Sequence, residues 1–214
     1  MNAVDINLTE QQKKIEKVLL DTAIKLSEQG IGSLSVFNIG KPVKYDDLFE
    51  KDVPPFDIVD APRRFEILSA IDGACIINKE GMVISYSAMI KNTKPYKNYG
   101  TRHAASYTAS LGDNLVIMTS EEDRKVRVFR NGLLIMQIDP TEKEVKHKTK
   151  EAVDLMSSVG VGAIGTIGAS ILIPTLGITL IPGIIIFGST HYILKNMVNH
   201  IIDKTNTTEN KQKK

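Results

Sequence analysis

Three short groups of residues in this 214-residue chain could do chemistry together. The first is Asp72-Gly73-Ala74, which opens an apolar run ending in Ile76-Ile77. The second is Gly100-Thr101-Arg102-His103, at the start of a predicted helix. The third is Ser120-Glu121-Glu122, just after the apolar stretch Leu115 to Thr119. Asp72 offers a hard oxygen ligand to Mg²⁺ or Mn²⁺, ions commonly held by one or two carboxylates together with substrate phosphates. Gly73, with no Cβ, lets backbone come close to a ligand. Thr101 stands where a helix begins, and there free N–H groups and a partial positive charge face any anion. Arg102 adds a planar fork matched to phosphate oxygens. Taken singly, D-G-A is a turn and R-H a solvated helix start. Carboxylate, glycine, threonine, arginine and histidine together point to phosphoryl or nucleotidyl transfer, in which a protein mainly positions groups and stabilises charge.

Those groups need elements to hold them. Thr9 and Gln12 form a capping box, and Ile15, Val18, Leu19, Thr22, Ala23 and Leu26 recur at helical spacing. A helix is therefore predicted from Glu10 to Gln29, stopped by Gly30. Ile31 to Ile39 is rich in β formers and reads as the first core strand. Gly40 to Asp60, with three prolines, reads as a loop containing an extended segment. Asp60 then caps a helix with Pro62 in its first turn. Phe65, Leu68 and Ile71 face the core, and that helix delivers the chain to Asp72. Ala74–Ile77 and Met82–Tyr86 form a hairpin, followed by a polar loop from Ser87 to Tyr99. The second group opens a helix to Leu111. Leu115–Thr119 is a strand, and Val126–Phe129 with Leu133–Ile138 flank Asn131-Gly132, a strong hairpin signal. The expected fold is α/β, a mixed, mostly antiparallel central sheet flanked by helices, its core strands ending near Ile138.

Composition narrows the function. A net charge of +2 is too small for a nucleic-acid binder, which would show a basic face. The single cysteine, Cys75, sits in an apolar run and reads as a small buried side chain. Residues 141–154 are charged and read as a helical connector. Composition then changes abruptly: Leu155 to Thr190 holds no charged residue over 36 positions, flanked by lysines on both sides. A membrane helix takes about 20 apolar residues. We therefore predict an apolar, Gly-rich helical hairpin over 155–202, with both ends in the cytoplasm, as a membrane anchor. Packing of the same hairpin inside a soluble oligomer is the alternative. Gly160, Gly162, Gly165 and Gly168 match G-x-G-x-x-G, but no strand precedes them and no acidic residue follows at the distance a dinucleotide site needs. Residues 203–214 read as a disordered tail.

The order and framing of the three groups resemble the diadenylate cyclase (DAC) family, whose members make cyclic di-AMP from two ATP. The family's pattern is D-G-A, then G-T-R-H-R-A-A, then a strand and S-E-E. Here it reads Asp72-Gly73-Ala74, Gly100-Thr101-Arg102-His103 and Ser120-Glu121-Glu122, and the likeness covers residues 15 to 140. The chain departs from the pattern at Ala104, where the family has a second arginine, and at Ser106. The resemblance implies a DAC domain over 1–140, including the N-terminal helix. It implies ATP as substrate, Mn²⁺ or Mg²⁺ as cofactor, and a second copy of the chain facing the first. Asp72, Arg102 and His103 would be catalytic, with Asp72 the metal ligand. Gly73, Ala74, Gly100, Thr101, Arg102, His103, Ser120 and Glu121 would bind ATP. The expected location is the cytoplasmic face of the cell membrane, or the cytoplasm if the hairpin is buried. The alternative function is a catalytically weak or inactive DAC-like membrane effector that senses a nucleotide.

Overall fold

The computed structural model describes residues 10–50, 53–96, 100–142, 145, 149, 152–153 and 183–186. Helix α1 (Glu10–Glu28) buries Ile15, Leu19, Ala23 and Leu26 along one stripe, as the spacing predicts. It ends at Gly30, whose φ of +72° suits glycine. Gly30 N–H donates to Ser27 O and Ile31 N–H to Leu26 O, at 3.0 and 2.9 Å, and this pair of bonds closes the last turn. Helix α2 (Pro62–Ser69) is capped by Ala61, with no side-chain cap bond, rather than by Asp60. Pro62 at the first position has no N–H to satisfy, so the helix start needs less from a capping side chain.

Among the described residues nine strands share one sheet: β1 (Ser33–Asn38), β2 (Tyr45–Asp47), β3 (Phe56–Asp57), β4 (Ala74–Asn78), β5 (Met82–Ile90), β6 (Leu115–Thr119), β7 (Val126–Arg130), β8 (Leu133–Ile138) and β9 (Ile184–Ile186). Their order is β2-β5-β4-β1-β6-β7-β8-β9, with β3 on β5. Only β1 and β4 pair in parallel; the others pair antiparallel, so the mostly antiparallel mixed sheet is as expected. The central strands are apolar on both faces, as strands covered on both sides must be. On one face Phe37, Cys75, Ile77, Leu115 and Ile117 pack under α1 and α2. On the other, Leu34, Val36, Ala74, Ile76, Val116 and Met118 pack under α3 (Thr101–Ser110).

The structure refines the sequence reading elsewhere along the chain. The extended segment expected in the loop before Asp60 is two short strands, β2 and β3, and β5 runs on to Ile90 instead of stopping at Tyr86. Pairing of Tyr45 with Ile90 and Asp47 with Ala88 extends it, and Ala88 and Ile90 are buried there. In the predicted helical connector, Val145, Thr149, Ala152 and Val153 are buried, at helical spacing. Within the predicted hairpin, Ile184–Ile186 is a strand, not a helix. Three consecutive β-branched residues favour extended backbone, and β8 offers them an edge: Ile138 pairs with Ile184 and Met136 with Ile186. The turn before β9 is Gly183, with φ +83° and the Glu142 side chain packed across it. The core therefore does not end at Ile138. Among the described residues no helix is long and apolar enough to cross a membrane. The rest of the predicted hairpin and the predicted tail lie outside the described residues.

Candidate active site

Strand directions collect the three groups at one end of the sheet. β4 begins at Ala74, just after Asp72-Gly73, and lies parallel to β1, which begins just after Gly32. β6 runs antiparallel to β1, with Thr119 opposite Ser33, so Ser120-Glu121-Glu122 emerge at that same end. β4 and β6 flank β1; with strands about 4.8 Å apart, their ends lie roughly 10 Å from each other.

Asp72 occupies the short bend between α2 and β4 and is exposed. Its Oδ1 accepts the Gly73 N–H at 3.0 Å, which fixes the carboxylate direction and leaves its other oxygen to solvent or a ligand. Gly73 has φ +99°, and a Cβ there would stand 2.7 Å from the carbonyl carbon of Ser87. This glycine is required by the crossing of two backbones. Ala74 is fully buried under α3.

Gly100 is the N-cap of α3 and makes no side-chain cap bond; His103 and Ala104 N–H both donate to its carbonyl. Helix starts without a capping side chain leave first-turn N–H groups to an outside acceptor. Thr101 is exposed beside them. Arg102 Nη2 donates to Glu121 Oε1 at 2.9 Å, joining the second group to the third. The pair lies over Gly32: a Cβ on that residue would stand 2.3 Å from Arg102 Nη1 and 2.4 Å from Glu121 Oε1. Ser106, at the family's last alanine, is buried and donates from Oγ to Arg102 O at 2.8 Å, bracing the first turn.

Ser120 is buried, and its Oγ accepts the Asp123 N–H in the turn between β6 and β7. It shapes the turn, and Glu121 is the group of the pair that reaches outward. His103 is half-buried and titrates below its ordinary 6.5. Burial disfavours the charged ring, Arg127 adds to that, Asp123 and Glu122 pull the other way, and Arg102 again lowers it. His103 is therefore a neutral imidazole at neutral pH. For Asp123, burial pushes the carboxyl up, but bonds from Arg127, Ser120 and Lys125 outweigh it and hold it below its ordinary value.

The structure thus brings Arg102 and Glu121 into contact, sets His103 in the field of the β6–β7 turn, and places Asp72-Gly73-Ala74 two strands away. Gly32, Asp123 and Arg127 escaped the sequence reading. Gly32 left a usable trace, since a glycine at the start of an apolar strand signals close backbone or side-chain approach. Arg127 left a fainter one, an arginine in the run Val126-Arg127-Val128-Phe129. Among the described residues no group of three or more His, Cys, Asp or Glu could hold a metal ion. A lone exposed carboxylate still fits Mn²⁺ or Mg²⁺ if the ion arrives with nucleotide phosphates, which supply the remaining oxygens.

Comparison with known proteins bears on this arrangement. The family described as DisA bacterial checkpoint controller nucleotide-binding (DAC) matches residues 20–134. A diadenylate cyclase of Methanocaldococcus jannaschii is 28% identical over 149 residues, covering 62% of this chain and 48% of that protein. A diadenylate cyclase of Haloferax volcanii is 28% identical over 140 residues, covering 57% and 51%. The chain spans about half the length of these curated relatives. Among solved structures it is similar to a double mutant of DacA from Staphylococcus aureus, with TM-score 0.48, 17% identity, and coverage of 70% of this chain and 97% of that one.

Proposed function

The chain belongs to the DAC family, and from that premise we propose that it is a diadenylate cyclase, a nucleotidyltransferase condensing two ATP into cyclic di-AMP. Each ribose 3′-oxygen attacks the α-phosphorus of the other ATP. Each attack forms one P–O bond, breaks the bond to the β-phosphate oxygen and releases one pyrophosphate. The observation that carries the reading is the joining of Arg102 to Glu121 over Gly32, at the sheet end that also presents Asp72.

In this reading Asp72 holds the metal and helps to activate the 3′-hydroxyl. Gly73 lies along the nucleotide, and Ala74, expected there from the motif, is buried beneath α3 and backs the site rather than touching it. The Gly100 and Thr101 end of α3, with Arg102 and the neutral His103, receives the phosphates. Ser120 fixes the turn and Glu121 orients Arg102. Mn²⁺ or Mg²⁺, when bound with the nucleotide, would neutralise phosphate charge. One site holds one ATP, so the two linkages require a second copy facing the first. Specific activity should then fall on dilution, and a monomer with full activity would argue against it. We also place the protein at the cytoplasmic face of a membrane through its charge-free segment. Release of the full chain by alkaline carbonate, as a discrete oligomer without detergent, would count against that.

A second reading has one observation behind it: Ala104 stands where the family has an arginine. A domain short of one phosphate contact could sense a nucleotide without turning it over. Incubation with ATP and Mn²⁺ followed by product analysis separates the two. Cyclic di-AMP from the parent and none from Asp72→Asn, with unchanged folding, supports the cyclase; ATP bound but unconverted supports the sensor.

A further inference from the structure

Arg127 lies on β7 between apolar neighbours, opposite Met118 of β6 and Gln137 of β8. It is only 7% exposed, on the face covered by α3. Each of its three nitrogens donates: Nη1 to Asp123 Oδ1 at 3.1 Å, Nη2 to Asp123 Oδ2, and Nε to Gln137 Oε1 at 3.1 Å. Asp123 in turn donates its N–H to Ser120 Oγ and accepts the Lys125 N–H. These bonds span the turn that carries Glu121, and Ser120 N–H closes it on Lys125 O at 3.1 Å. Glu121 then meets Arg102.

A buried ion pair is poor evidence for stability, since desolvation consumes most of its Coulombic gain and an apolar side chain often serves as well. Met118, its ladder partner, and Phe129 are fully buried on the same face, so a leucine at this position would suit the packing. What the guanidinium supplies instead is a rigid bidentate direction. We propose that Arg127 is a positioning residue for the nucleotide site: by clamping Asp123 it sets the Ser120–Lys125 turn, and through that turn the meeting of Glu121 with Arg102. The inference rests on the reading of this sheet end as a nucleotide site. The charge of the same guanidinium also acts on His103 and disfavours its protonation, as Arg102 of α3 does, while Asp123 and Glu122 of the turn favour it.

The test uses the full chain with ATP and Mn²⁺, measuring kcat and KM for cyclic di-AMP formation and, separately, ATP affinity. Arg127→Lys keeps the charge and loses the fork; Asp123→Asn, on a side chain 40% exposed, removes the same clamp with less risk to folding. Each should lower kcat/KM about tenfold, as loss of alignment does, measured well below a melting temperature that either change lowers by leaving one buried partner unmatched. Combined with Glu121→Gln, either should cost little more than the worse single variant, because both act through one contact. Losses that multiply, or parent-like kcat/KM in both single variants, overturn the proposal. If Arg127→Lys unfolds, the Asp123→Asn cycle decides. A parent that binds ATP but makes no product overturns the cyclase reading alone, and the same cycle is then scored on ATP affinity. A parent that does neither overturns both.

Discussion

Two glycines of the candidate site should respond to alanine in opposite ways. Gly73 has φ +99°, and a Cβ there would meet Ser87 carbonyl carbon at 2.7 Å and Ser87 Cα at 3.0 Å. Those are backbone atoms of β5, which is held between β4 and β2, so they have little room to retreat. The conformation alone costs a side chain about 1–2 kcal/mol, and forced overpacking adds about 1–3 kcal/mol. A total of roughly 3 kcal/mol is a large part of ordinary domain stability and corresponds to a melting temperature lower by about 10 °C. Gly100 has φ −69° and ψ −179°, which any residue adopts. Among the described residues nothing lies within 4 Å of a Cβ there. Alanine loses a little as an N-cap and gains a little from a stiffer unfolded chain, so its effect on stability should stay within about 1 kcal/mol. If the open space belongs to the nucleotide, Gly100→Ala should still raise KM for ATP while the protein melts with the parent. Thermal and urea unfolding, with cyclase assays on the same preparations, report both effects. A Gly73→Ala protein that melts with the parent would refute the backbone-crossing argument. A Gly100→Ala protein with parent-like kinetics would remove the ligand from that space.

Three further outcomes follow from burial and titration. His103 binds its proton more weakly when folded than when unfolded, so it lowers stability as pH falls through its ordinary 6.5, levelling off below its folded value. His103→Gln should flatten the decline in urea midpoint between about pH 7 and pH 5; an unchanged slope would mean that other groups set it. Cys75 is buried with its thiol pushed up to about 12, so iodoacetamide at mildly alkaline pH should spare the native protein and label it in urea. Native labelling at the unfolded rate would contradict its place in the core. A fragment ending at Pro140 loses Val145, Val153 and Ile184 from the main cluster, at roughly 1.5 kcal/mol or more for each branched side chain. It should unfold at clearly lower urea than the full chain, and equal midpoints would show that β9 adds nothing.

The legible parts of the chain were those whose reason is local. The stripe from Ile15 to Leu26, the Asn131-Gly132 turn and the short apolar runs of β6 to β8 each declare themselves within a few residues, and the fold follows them. The D-G-A and G-T-R-H groups were legible as chemistry because their residue types are matched to phosphate. What escaped depends on partners that meet only in the folded chain. β5 extends to Ile90 because β2, about forty residues earlier, lies beside it. Arg127 has partners near in sequence, Asp123 of the preceding turn and Gln137 of β8, but they meet it only once the turn and the hairpin have formed. The isoleucines of β9 look like the rest of an apolar run until β8 offers them an edge. Asp60 failed as a cap because Pro62 moved the helix start by one residue.

The pairing of β8 with β9 also fixes a matter of sides. Ile138 and Ile184 are partners in one ladder though 46 positions apart in sequence, so wherever the chain between them travels, it must come back to the compartment it left. The charge-free stretch available for that excursion, Leu155 to Pro182, counts 28 residues. A full crossing and a full return need about 40. The β8–β9 ladder and a double helical passage between its two strands therefore exclude each other, so a cysteine pair at Ile138 and Ile184 that cross-links in the native protein would rule such a passage out.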